Sequence, residues 1–425
     1  MYAMNNVKEE LKNNYLNLFL GNGLFVLSAF PYISFYHLPS DTQPLALFFA
    51  IMIFTIYVKK KNTTMPVQLW LLLLLFLYAI LVFFVKSDFF FGLRSLAGYA
   101  SIFLIAFASY KTYKYLDFRI FSYIIYIWLI FGLIQLVYDR TFGDFLLPRL
   151  VSTAWRGGGV NSLAVEPSIY AIICLFFLIF NDFFYQNGKC KRKEYIFLNI
   201  ILIFQIFISY SGTGFIFMAI YFALKVVTEL LKNRTYSYII YYCIGIIIIV
   251  IVMTNVSYFM ETRPGILLSI LFHDPLTFFF NDRSLADRLL HIVLPFISLF
   301  YSKGLGFGLG TWERYSGYLI ESMGGVFAAL AEIEFSRGGR IMSGWGTPVF
   351  ELGIIGILYP LCFLSIVAKG LKINRKLFTA ILPGGITIFL IIINAVPIAF
   401  PLLGYFSGMI LYYACETKEV YVRSL

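Results

Sequence analysis

The chain has 425 residues, 60% of them hydrophobic and only 13% charged, against about 25% charged in a soluble chain. Its mean hydropathy is +0.83. Apolar runs recur along the whole length, which excludes a string of soluble domains and predicts one all-α polytopic membrane domain over residues 1–425. The runs are continuous rather than alternating, so an outer-membrane barrel is excluded too.

Taken in chain order, residues 1–14 are polar, and the first apolar run has no small-residue cleavage site. No cleavable signal peptide is expected there. Twelve spans are predicted, at 15–36, 44–58, 66–85, 89–110, 119–138, 167–184, 195–209, 213–229, 237–256, 347–368, 377–396 and 400–415. Basic flanks "GKCKRKE" and "LLKNRTY" enclose 195–229. Both flanks belong on the same side, so two short helices with a turn at "SYSGTG" are expected between them.

With both termini cytoplasmic, the inner side receives 21 Lys+Arg and 8 Asp+Glu. The outer side receives 12 Lys+Arg and 14 Asp+Glu. The formal net charge of +11 therefore reflects orientation and gives no ground for nucleic-acid binding. The expected partners are membrane lipids. None of the five cysteines has metal-ligand spacing, so neither a metal site nor a disulfide nor a cofactor is predicted.

Two outer segments exceed simple connectors: 139–166 and the large loop 257–346. Non-spanning chain of this length is where function is expected. Ahead of both, Arg94 lies in the fourth span. An intramembrane arginine is a candidate site residue, with snorkelling to the outer surface as the bland alternative.

The first outer segment ends in "WRGGGVNSLAVEPSIYA" (Trp155 to Ala171). It pairs Arg156 and Glu166 around a glycine run. Pro167 is expected to start the sixth span, with Glu166 at its N-cap, serving either as cap or as proton acceptor.

The large loop holds "NDRSLADRLLHIVLPF" (Asn281 to Phe296). A Ser284–Asp287 capping pattern predicts a helix start. Arg283, Asp287 and His291 then share one face, with Arg288 beside His291. This is either an amphipathic surface helix or a phosphate-binding face, because guanidinium forks match phosphate oxygens. "SKGLGFGLGTWERY" (Ser302 to Tyr315) lacks dinucleotide spacing. It reads as a flexible loop or as backbone approaching a bulky ligand, with Arg314 beside it. "RGGRIMSGWGTPVFELG" (Arg337 to Gly353) adds Arg337 and Arg340. It enters the tenth span with Thr347 as N-cap and Pro348 at the first position. Glu351 is then expected in the first turn, complementing the helix dipole. His37 and His273 read as ordinary loop residues.

Arginines at an outer membrane surface suit a lipid-linked diphosphate. A donor activated in that way needs no ATP outside, and arginines can take the leaving-group charge without a metal. "RGGGVNSLAVEPSIYA" resembles the Arg…Gly…Glu-Pro-Ser…Ala pattern of bacterial O-antigen and capsule polymerases, the Wzy-type family. "SYSGTGFI", "GLGFGLGTW" and "TPVFELGIIG" are similar to further landmarks of that family, in the same order. The resemblance covers about residues 156–356 and implies a multi-span glycosyltransferase fold related to the O-antigen ligases. It implies transfer of a growing glycan from undecaprenyl diphosphate onto the next lipid-linked repeat unit in lipopolysaccharide biosynthesis. The expected place is the outer face of the bacterial cytoplasmic (inner) membrane. It also brings in a chain-length regulator protein as a partner. Carried onto this chain, it implies Arg156 and Glu166 as the first landmark. Arg283, Arg288, Arg314, Arg94 and Arg340 are candidates for the diphosphate, and the base is left between Glu166 and His291. A ligase of the finished glycan and a glycolipid flippase or other transporter remain the competing readings.

Overall fold

The computed structural model describes residues 2–33, 42–61, 64–147, 159–232, 283–323, 341–373 and 377–422. Among these residues the fold is helical, with no strand. The helices are α1 (Tyr2–Ala29), α2 (Leu45–Lys59), α3 (Val67–Lys86), α4 (Phe89–Thr112), α5 (Phe118–Val137), α6 (Pro167–Gln186) and α7 (Arg192–Ile208). They continue as α8 (Gly212–Lys232), α9 (Arg283–Tyr301), α10 (Trp312–Met323), α11 (Gly346–Leu352), α12 (Leu358–Ile373), α13 (Phe378–Asn394) and α14 (Pro401–Val422).

Helices occupy eleven of the twelve predicted spans; the ninth, 237–256, lies outside the described residues. Six described helical stretches are both long and apolar enough to cross a membrane: 67–86, 89–115, 118–137, 167–186, 212–231 and 346–373. The chain is thus a helical protein with membrane-embedding character.

The sixth helix is the hub. In α6, 89% of the most apolar stretch is buried inside the protein, so its continuous apolar run faces protein on all sides. Phe25 of α1 sits at the centre of an aromatic cluster with Phe121 of α5, Phe177 and Phe180 of α6, and Tyr405 of α14. Helices α4 and α14 run in close contact because small residues face each other. Gly404 lies on Ile105, Gly408 on the Ala106 carbonyl, and the Ser109 hydroxyl donates to Tyr405 O at 2.9 Å. Close backbone approach through small residues is how helices gain packing energy in lipid.

The α7–α8 hairpin forms as the flanking charges require. A buried polar knot fastens it: Asp182 of α6 accepts from Tyr195 of α7 at 2.6 Å and from Tyr221 of α8. Lys225 of α8 pairs with the same carboxylate at 2.7 Å and donates to Tyr195 at 2.8 Å. Every charge in the knot is paired and hydrogen-bonded, the condition for burying it. The knot also sets the direction: the ends of α6 and α8 lie beside the start of α7.

The helix ends sort by charge. Lys111 reaches Thr64, Lys189 reaches Lys114 O, Gln186 reaches Thr379, and Lys369 reaches Gln68. One end of the bundle therefore gathers the basic stretches 59–61, 111–119, 189–193 and 369–372. The other end gathers 86–95, 159–166, 208–214, 288–291, 304–312 and 341–353.

The tenth predicted span differs from expectation. Its helix starts at Gly346, with Trp345 at the N-cap position, and the Ser343 hydroxyl oxygen accepts Gly346 N at 3.0 Å. Thr347 is not the N-cap and Pro348 is not first; the Thr347 hydroxyl donates to Ser343 O at 2.9 Å. The span is also broken between α11 and α12 at Gly353, which adopts φ +67°. There the glycine-rich loop is wedged in. Phe307 N and Gly308 N donate to the carbonyls of Phe350 and Glu351, and Ile354 N donates to Gly304 O. The loop supplies donors to carbonyls that the helix break leaves without helical partners.

Candidate functional site

The non-basic end is built from four segments remote in sequence. "VNS" (Val160 to Ser162) is fixed by Gln135 of α5. The Gln135 carbonyl accepts Asn161 N at 3.2 Å and Ser162 N at 2.6 Å, while its amide donates to Ser162 O at 2.9 Å. Val160 N donates to Ile208 O at the α7–α8 turn. Residues 159–165 of this segment are therefore buried, and hydrogen bonds hold them in place. Arg156, in its first half, lies outside the described residues.

Glu166 holds the N-cap backbone position of α6, with Pro167 at the first helical residue, as expected. Its side chain makes no cap bond. It is exposed, and one carboxylate oxygen accepts the Ser168 hydroxyl at 3.2 Å.

On α9, Arg288 donates to the Thr213 hydroxyl in the α7–α8 turn region. Gly214 of that turn packs directly on Ala171 in the first turns of α6. One turn after Arg288, His291 is buried. Its Nδ1 accepts Met342 N at 3.2 Å, and its ring meets Trp312 edge-on at 5.4 Å. A neutral imidazole whose Nδ1 lone pair is engaged carries its proton on Nε2. It then offers a donor, and neither nitrogen is open to take a proton. In this arrangement the imidazole is engaged with the Met342 amide, while the exposed Glu166 carboxylate keeps free acceptor positions. Burial, joined by the neighbouring Arg288 charge, also pushes this imidazole down to about 4, outside the six apolar spans.

Residues Leu290, Leu294, Trp312, Leu319, Ile341 and Phe350 form a second small core there. That core joins α9, α10 and α11 into a cap over the bundle end. The helix α9 begins at Arg283, one residue before the predicted Ser284. The placement of the Arg283 side chain is outside the described set.

Beside this cap lies a cleft of about 70 Å³, lined among others by Arg94, Ser95, Gly310, Trp312, Thr347 and Glu351. Glu351 is buried, and its carboxylate is held by three donors. Ser95 Oγ at 2.6 Å and Gly310 N at 2.9 Å share Oε1, and Tyr99 OH at 2.9 Å takes Oε2. A carboxylate has roughly four acceptor positions, so one is left for a further hydroxyl donor. Arg94, half-buried one turn along the same helix face as Gly98, brings a permanent positive charge to the cleft.

Gly310 is what places its amide there. It adopts φ +72°, and a Cβ on it would come within 2.3 Å of the Phe91 carbonyl carbon and 2.4 Å of Gly92 N. Only glycine allows this approach of loop to helix α4. The close neighbours of the glycine-rich loop are the protein's own backbone at Lys86, Phe91 and Gly353, and Gly310 also lines the cleft.

Among the sequence-predicted residues with described side chains, Arg94 lines the cleft. His291 stands behind it, one ring away through Trp312. Arg288 points to the α7–α8 turn, and Arg314 is exposed on α10. Arg340 lies outside the described residues. The residue that sequence reasoning undervalued is Glu351. It sits at the sixth position of a seven-residue helix, too late for the dipole role assigned to a first turn. A carboxylate inside an apolar run was itself the signal.

No protein-family model matches the chain, and neither a curated protein nor a solved structure matches it.

Proposed function

We propose that the chain is a polysaccharide polymerase of the Wzy type, a membrane glycosyltransferase that elongates a lipid-linked glycan. The observation that carries this reading is the convergence of the four family-like motifs. "RGGGVNSLAVEPSIYA" lies against "SYSGTGFI" through Gly159, which packs directly on the Ser209 backbone. "GLGFGLGTW" lies inside the break of "TPVFELGIIG" through Phe307 and Phe350. Arg288 and the small core of α9 tie the two pairs together. Motifs separated by up to two hundred residues in sequence thus meet at one end of the bundle.

In this reading the basic end is cytoplasmic, because Lys and Arg are retained inside. The motif end then faces the outer leaflet, and both termini are inside. Arg94 and Arg288 take the charge of the donor's diphosphate, with Arg156, Arg283, Arg314 and Arg340 as further contacts. An acceptor sugar hydroxyl attacks the anomeric carbon of the growing glycan. The bond from that carbon to the diphosphate oxygen breaks, and undecaprenyl diphosphate leaves with the electron pair. Glu166, exposed and acceptor-rich, receives the hydroxyl proton. Glu351 holds the loop and α4 around Arg94. No metal is required, since guanidinium groups stabilise the leaving charge.

The test is the polymer ladder. Arg94→Ala and Arg288→Ala should leave the protein in the membrane and single repeat units in place of long chains. Losing one charged leaving-group contact costs about a hundredfold in rate. Wild-type ladders from both variants would overturn the assignment.

A further inference from the structure

The basic end carries a second cleft, of about 280 Å³, between α5 and α7. Its lining includes Arg119, Ser122, Tyr123, Tyr126, Glu194 and Phe197. The volume falls just under the 300–1,000 Å³ usual for small-molecule sites, room for a headgroup rather than a whole ligand.

The charges around it are unevenly committed. Asp117 accepts Arg119 N at 2.9 Å and so caps α5. Glu194 accepts Lys191 N at 2.8 Å and so closes the first turn of α7. Each of these carboxylates commits one oxygen to a backbone amide. The Arg119 guanidinium has no hydrogen bond or ion pair among the described residues, although Glu194 lines the same cleft. In sequence, Lys114 lies five residues before Arg119, and Lys191, Arg192 and Lys193 directly precede Glu194, so the chain next to the lining residues is net positive.

The cleft opens onto an apolar surface. Tyr123, Ile127 and Ile130 on α5 are exposed in register, and Phe197, Ile200 and Phe204 on α7 match them. Both series lie in or beside predicted spans, so this face meets acyl chains.

We propose that this cleft binds an anionic glycerophospholipid. Its phosphate lies on Arg119, the tyrosine hydroxyls of 123 and 126 are in reach of its glycerol oxygens, and its chains run along the exposed faces of α5 and α7. A cationic pocket between helices at the membrane surface suits an anionic headgroup. The apolar track below it selects a lipid over a free phosphate. The proposal is independent of the polymerase reading.

The test uses the full chain purified in detergent and titrated with phosphatidylglycerol, phosphatidylcholine or soluble glycerol 3-phosphate. Two readouts are followed: the thermal midpoint, and the phosphatidylglycerol retained per protein by mass spectrometry. Phosphatidylglycerol should raise the midpoint and phosphatidylcholine should not. Arg119→Gln should bind phosphatidylglycerol about fivefold more weakly, while Arg119→Lys should keep most of the affinity. If Arg119→Gln loses stability by itself, the retained lipid decides. The proposal is overturned if that variant retains lipid like the wild type, if phosphatidylcholine does as well, or if glycerol 3-phosphate alone gives the full shift.

Discussion

Replacing Gly310 by alanine strikes the point where the loop, α4 and Glu351 meet. The new Cβ would stand 2.3 Å from one backbone atom of α4 and 2.4 Å from another, and neither can rotate away. Three costs add. A left-handed L-residue costs about 1–2 kcal/mol. Forcing extra volume into packed backbone costs about 1–3 kcal/mol. Moving the Gly310 amide off a carboxylate forfeits a charged hydrogen bond, about 1.5–3 kcal/mol. Together they reach about 4 kcal/mol or more. Gly304 is the matched control: it too is left-handed, at φ +80°, yet a Cβ there meets nothing within 4 Å. Gly304→Ala therefore carries only the first cost. Thermal unfolding can be followed with a thiol-reactive dye, since Cys174 and Cys362 are buried in the folded bundle. Gly310→Ala should lower the midpoint well beyond Gly304→Ala. Equal midpoints, or a worse Gly304→Ala, would refute the wedge.

The same assay separates the two roles available to Glu351. Glu351→Gln keeps one oxygen for Ser95 and Gly310 and turns its amide to Tyr99, whose hydroxyl can rotate to accept, a loss of about 1–2 kcal/mol; Glu351→Ala orphans three donors and should cost clearly more. The reverse order would contradict the geometry. Glu166→Gln should leave stability within about 0.5 kcal/mol, because the carboxylate is exposed and caps nothing, and should abolish chain growth; full polymer from this variant removes Glu166 as proton acceptor. For His291 the folded value lies below the unfolded one, about 4 against 6.5. Its contribution is complete above pH 6.5 and is lost as pH falls toward 4, about 3 kcal/mol in all. A midpoint titration should show this loss in the wild type and a reduced one in His291→Asn; identical curves would refute it.

Most of the helical layout was legible in the sequence, because apolar runs and basic flanks act locally. The α7–α8 hairpin is the clearest instance: two basic flanks around 35 residues required a return, and Asp182, Tyr195 and Lys225 fasten it. What could not be read was which loop supplies donors to which helix. The start of α11 was misplaced because the chain turns earlier, with Trp345 at the N-cap and Gly346 N held by the Ser343 hydroxyl, so Thr347 falls inside the helix. That shift hid the place of Glu351, whose partners Ser95 and Tyr99 lie about 250 positions away in the chain. The glycines at 304–310 signalled close approach, but a sequence does not say to what; here it is α3, α4 and the α11–α12 break. The sequence marked His291 by its arginine neighbour but could not show the Met342 amide that its Nδ1 accepts.

The central claim is tested most directly by supplying the purified protein, in lipid vesicles, with lipid-linked repeat units and no ATP. The account predicts a ladder of longer glycans on undecaprenyl diphosphate, lost in Arg94→Ala. Transfer of a finished chain to another acceptor, or movement of the repeat units across the bilayer without elongation, would contradict it.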